Sequence, residues 1–130
     1  MKAFVVDDSR LARNGLIRML AAHPGIEVVG EAEHPDSALP LIETSRPDVL
    51  FLDIQMAGAD AFDLLARLEL RPHIVFTTAH AEYALRSFDF DTVDYLLKPI
   101  SQARLAQAIH KLAARAASVP AEPARAPLDE

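Results

Sequence analysis

Asp48-Val49-Leu50-Phe51-Leu52-Asp53-Ile54 sets four consecutive apolar residues between two acids. A run this short with no polar face reads as a strand buried on both sides, the kind a parallel sheet keeps at its centre. Working outward, Ala3 to Val6 is a second run of the same type, and Ile26 to Ala32, Ile74 to Thr78 and Val93 to Leu97 have strand length. Segments of helical period separate them. Leu11, Leu16, Ile17 and Leu20 repeat at helical spacing until His23-Pro24-Gly25 stops them. Pro35-Asp36-Ser37 opens a second helix, in which Pro40 is read as a tolerated first-turn proline. Further helices are expected over Asp60 to Leu70, Glu82 to Phe88, and Ser101 to about Ala116, with Ser101 as the N-cap of the last. Strand and helix alternate throughout, which is the pattern of an α/β fold: a parallel sheet with helices on both faces.

The composition narrows the chemistry. The 130 residues suit one compact domain. Cysteine is absent, which excludes disulfides, thiolate catalysis and cysteine-ligated metals. The net charge of −6 with no basic stripe argues against nucleic-acid binding by these residues alone. No apolar run approaches the roughly 20 residues of a membrane span, and two acids interrupt the first apolar stretch too early for a signal peptide. A soluble cytoplasmic protein is therefore expected. From Ala117 to Glu130 the chain turns rich in Pro and Ala with little to bury, and reads as a linker that leads toward a further domain.

In open parallel sheets, sites form beyond the carboxyl ends of the strands. Here those ends carry Asp7-Asp8, Asp53, Thr77-Thr78 and Lys98. Carboxylates gathered at one place repel and call for a cation; an all-oxygen donor set favours a hard divalent ion, Mg²⁺ or Mn²⁺. A carboxylate is also a competent nucleophile toward phosphorus. The metal and Lys98 would offset charge on the transferring group, and a threonine hydroxyl would donate to one of its oxygens. Each residue alone has a plainer explanation: Asp-Asp as a helix cap, Tyr95 as core, Thr78 as an ordinary strand residue. His23, His34, His73 and His80 lack ligand spacing, His110 falls on the last helix, and Arg10 and Arg13 read as part of a solvated helix face.

Asp7-Asp8, Val49-Leu50-Phe51-Leu52-Asp53, Thr78-Ala79 and Tyr95-Leu96-Leu97-Lys98-Pro99 together resemble a bacterial response-regulator receiver domain, over residues 1–116. The resemblance implies a flavodoxin-like fold with five strands in the order 2-1-3-4-5 and five helices. It implies that Asp53 is the phosphoacceptor, that Asp8 and Asp53 ligate Mg²⁺ directly, and that Asp7 does so through water. The Gln55 backbone carbonyl would complete the protein ligands. Lys98 would pair with Asp53 or its phosphate, ahead of a cis peptide at Pro99. Thr78 would be the switch hydroxyl, and Tyr95 the aromatic that turns inward with it. Tyr83-Ala84-Leu85-Arg86-Ser87-Phe88, with Asp94 to Pro99, is similar to receivers of the LytTR class, which precede a DNA-binding output domain.

On this reading the chain is a signalling phosphoacceptor rather than an enzyme with an external substrate, with Mg²⁺-dependent self-phosphorylation and autodephosphorylation. Its partners would be a histidine kinase and a second copy across the fourth-helix, fifth-strand, fifth-helix face. DNA would be reached only through an output domain, and no membrane would be involved. The alternative is a phosphorylation-independent pseudo-receiver acting as a protein-interaction module. It is raised by Ala57 and Ala61, which stand where the family often has Pro and Gly. A haloacid-dehalogenase-like phosphohydrolase wants a second Asp at Gln55, and an FMN binder wants Ser, Thr and Gly where Asp7-Asp8 stands.

Overall fold

A computed structural model describes residues 1–56, 59–81 and 92–118. The expected helix over Glu82 to Phe88, the Tyr83 to Phe88 part of the subfamily resemblance, Ala57, Gly58 and the tail from Val119 onward lie outside the described residues.

The elements follow in the order β1 (Lys2–Val6), α1 (Arg10–Leu20), β2 (Glu27–Ala32), α2 (Pro35–Ser45), β3 (Val49–Asp53), β4 (Gln55–Met56), β5 (Ala59–Asp60), α3 (Ala61–Arg67), β6 (His73–Thr78), β7 (Thr92–Leu97) and α4 (Gln102–Ser118). The main sheet has five parallel strands in the order β2-β1-β3-β6-β7. Numbered by their place in that sheet alone, the strands run 2-1-3-4-5, as expected. The two-residue strands β4 and β5 form a separate antiparallel ribbon just after Asp53.

Strand periodicity splits the core in two. Phe4, Val6, Leu50, Leu52 and Phe76 point to one face, where Ala38, Ile42 and Leu64 of α2 and α3 cover them. Ala3, Val5, Val49, Phe51 and Val75 point to the other, under Leu16 and Leu20 of α1 and Leu105, Ala108 and Leu112 of α4. Every residue of β3 is buried, so the stretch that first indicated a strand does form the middle of the sheet. Packing is tight at the β1–β2 pair. A Cβ on Gly30 would sit 2.6 Å from Cε2 of the buried Phe4 ring.

The helix ends follow local rules with one exception. Ser9 caps α1 by accepting from the Ala12 N–H, and Ser101 Oγ accepts from the Arg104 N–H at the start of α4. His34 caps α2 through Nδ1, which accepts from the Asp36 N–H at 3.0 Å. Pro40 corrects the expectation made for it: α2 begins at Pro35, so Pro40 lies in the helix interior. Its ring removes one backbone donor, and its exposed position leaves water to satisfy the freed carbonyl. The last helix runs on to Ser118, past its expected end near Ala116. No helix among the described residues is long and apolar enough to cross a membrane.

Candidate functional site

Four strands deliver the expected side chains to one edge of the sheet. β1 ends in Asp7 and Asp8, β3 in Asp53, β6 in Thr77 and Thr78, and β7 leads into Lys98. Parallel strands all present their carboxyl ends on the same side, so registry alone gathers these residues. Carboxylate oxygens of Asp7, Asp8 and Asp53 lie within 4.8 Å of one another, a spacing at which they could hold a metal ion. Asp7 and Asp53 are buried, whereas Asp8 is exposed.

Lys98 bridges two of the three acids. Its Nζ lies 2.8 Å from Asp7 Oδ2 and 3.4 Å from Asp53 Oδ2. The Lys98 N–H donates to the Thr78 carbonyl at 2.7 Å, and the Lys98–Pro99 peptide is cis, as expected. Burial is the largest influence on Asp53, and together with the Asp7 and Asp8 charges it pushes the carboxyl up to about 6 against the opposing pull of Lys98. Burial disfavours the Lys98 ammonium, but its hydrogen bond to Asp7 and the charges of Asp53 and Asp7 outweigh that and hold its pKa above the ordinary lysine range. Lys98 is thus shared between the two buried acids. The pocket's donors are all oxygen, which suits a hard divalent cation.

The other expected residues have contacts of their own. Thr78 is fully buried, and its Oγ1 accepts from the His80 N–H at 3.0 Å, so the hydroxyl is engaged by the loop that follows β6. Tyr95 pairs in register with Phe76 and packs, partly buried, against the core face that holds Phe76 and Leu52. Gln55 is exposed at the head of the β4–β5 ribbon. Beside the acids a groove of about 520 Å³ opens between α1 and the β7–α4 junction, with Leu11, Ala12, Met19 and Ile100 among its walls. Leu11 at its rim is 85% exposed.

One residue of the site was misjudged. Arg13 does not lie on a solvated face: its side chain is only 12% exposed. It donates from Nε to Glu31 Oε1 at 2.7 Å and from Nη1 to the Asp7 carbonyl at 2.7 Å. The available signal was its spacing. Arg13 follows the N-cap Ser9 by one helical turn, which aims it back at the end of β1.

Comparison with known proteins agrees with this geometry. Residues 3–110 match the family model of the response regulator receiver domain. The chain belongs to that family. It is 44% identical over 114 residues to the transcriptional regulatory protein BtsR of Salmonella typhi, covering 86% of this chain and 48% of that protein. It is 40% identical over 114 residues to the sensory transduction protein LytT of Bacillus cereus, covering 85% of this chain and 46% of that one. The receiver domain thus spans about half the length of these relatives, which are response regulators of the LytT and BtsR type. Among solved structures it is similar to the response regulatory domain of mrkE from Klebsiella pneumoniae, with 30% identity and a TM-score of 0.79, covering 88% of this chain and 97% of that one. It is also similar to the REC domain of AraT from Geobacillus stearothermophilus, with 32% identity and a TM-score of 0.80, covering 89% and 95% of the two chains. The receiver domain is of the two-component kind, and its assembled acidic pocket lends no support to the phosphorylation-independent alternative.

Proposed function

We propose that this receiver domain accepts a phosphoryl group on Asp53 from the phosphohistidine of a partner kinase, in the cytoplasm, and so controls a DNA-binding output domain. The observation that carries the reading is the convergence of three carboxylates on one lysine at the carboxyl edge of the sheet. An ionised Asp53 oxygen forms the new bond to phosphorus as the phosphorus–nitrogen bond of the donor breaks. Asp8, Asp53 and the Gln55 carbonyl would hold Mg²⁺ directly and Asp7 would hold it through water. Bound there, Mg²⁺ offsets the negative charge of the phosphoryl oxygens. Lys98 moves its ammonium from Asp53 toward the phosphoryl group, and Thr78 exchanges His80 for a phosphoryl oxygen. Tyr95 follows Thr78 inward and alters the face formed by β7 and α4, where a second copy docks. The regulation of transcription is supported by the BtsR relatives, which are about twice as long as this chain.

Incubation with Mg²⁺ and acetyl phosphate, followed by intact-mass measurement, tests the reading. One phosphate adduct is expected, absent from Asp53→Asn and from Mg²⁺-free samples. Absence of any adduct, with acetyl phosphate and with a phosphorylated kinase alike, would overturn it.

A further inference from the structure

We infer that Arg13 is a positioning residue for the acidic pocket: by gripping the Asp7 carbonyl it sets the peptide plane from which the Asp8 carboxylate emerges. The inference rests on the reading of that pocket as a metal-dependent phosphoacceptor site. All four polar atoms of Asp7 have partners. Its N–H donates to the Ala32 carbonyl at 3.1 Å, Oδ1 accepts from the Ser9 N–H at 2.9 Å, and Oδ2 takes Lys98. The carbonyl alone depends on a side chain from within α1, Arg13. That carbonyl belongs to the rigid peptide unit joining Asp7 to Asp8, so fixing its direction also fixes the Asp8 N–H and Cα.

The constraint has a purpose, because Asp8 is the exposed member of three carboxylates that repel one another. Rotation of the Asp7–Asp8 peptide would carry the Asp8 Cα away from the other two acids, and the Arg13 hydrogen bond opposes that rotation. Glu31, on β2 and paired in register with Val5, holds the other side of the guanidinium. Arg13 is thus braced against the sheet rather than against the pocket. A lysine could not serve both partners, since it lacks the fixed fork of the guanidinium.

The test is Mn²⁺ affinity, read by electron paramagnetic resonance of the free ion at pH 7.5, alongside thermal melts. Arg13→Ala should weaken Mn²⁺ about tenfold, the loss common when a group that orients metal ligands is removed. Arg13→Lys should fall between it and the wild type, and Glu31→Gln should stay within about threefold of wild type because the contact to Asp7 survives. Ile42→Val, in the core under α2, serves as a destabilised control and should leave affinity unchanged. Mn²⁺ binding by Arg13→Ala within twofold of wild type overturns the inference, whatever its melting temperature. If that variant does not fold, wild-type affinity in Arg13→Lys overturns it equally, as does a wild-type chain that binds no Mn²⁺. A wild type that binds Mn²⁺ but takes no phosphate refutes the phosphoacceptor reading alone, and the Arg13 comparison keeps its meaning.

Discussion

The ammonium of Lys98 stands closer to Asp7, at 2.8 Å, than to Asp53, at 3.4 Å. The lysine therefore neutralises Asp7 first and attends Asp53 second. Burial and the Asp7 charge keep the Asp53 pKa raised against the pull of Lys98, and Lys98 competes with any cation that approaches Asp7.

Lys98→Met should destabilise the metal-free protein at pH 7.5 by about 2–4 kcal/mol, because two buried carboxylates lose their cation. Millimolar Mg²⁺ should restore much of that loss, since the ion meets no competing ammonium. Chemical denaturation with and without Mg²⁺ measures both effects. A variant as stable as wild type in the absence of metal would show that Lys98 does not balance these acids.

Asp53 gives the pocket a pH dependence of definite sign. Between its ordinary value of 3.8 and about 6, the folded chain keeps a proton that the unfolded chain has released. Stability without metal should therefore fall as pH rises through that window, and Asp53→Asn should flatten the fall. Divalent-cation affinity should move oppositely, weakening as pH drops through about 6 and the carboxylate protonates. Titration calorimetry at pH 5 and pH 7.5 reads it directly; equal affinities at the two would contradict the assignment.

Asp94 behaves in the contrary way. Burial alone would raise its pKa, but the Arg104 hydrogen bonds at 2.8 and 2.9 Å, the Tyr95 N–H and Lys111 outweigh it and hold the carboxyl below its ordinary range. Its contribution is present above the unfolded value of 3.8 and is lost as pH falls through the depressed one. Arg104→Met should cost about 1–3 kcal/mol at pH 7, lessened by the partial exposure of Arg104, and the deficit should shrink as acid protonates Asp94. Urea midpoints at pH 7 and pH 3 provide the comparison.

Gly30→Ala should cost about 1–3 kcal/mol, because the new methyl meets the Phe4 ring 2.6 Å away in a packed core. The denaturation midpoint should drop with an unchanged slope. An unaltered midpoint would mean that the ring has room to move.

Much of this was legible from local pattern. The run Val49 to Leu52 implied a strand covered on both faces, and strand–helix alternation implied a parallel sheet. A parallel sheet in turn forces its strand ends together, so Asp7, Asp8, Asp53 and Lys98 could be assigned to one pocket before any distance was known. Caps such as Ser101 were legible for the same reason: the interaction spans three residues, and three residues of sequence contain it.

The misread features are those in which the outcome depends on a distant partner. Pro40 was assigned by the rule for helix starts, yet the helix begins at Pro35 and tertiary burial of Ala38 and Ile42 carries it through the proline. Arg13 has the composition of a surface helix residue, and only the approach of β2, bringing Glu31, turns it inward onto Asp7. The division of Lys98 between two acids is likewise absent from the order of residues. Periodicity and strand-end identity come from neighbours along the chain, so they are written in it. Which acid a lysine prefers, and which carbonyl an arginine holds, are settled by tenths of an ångström between strands dozens of residues apart, and packing alone fixes those.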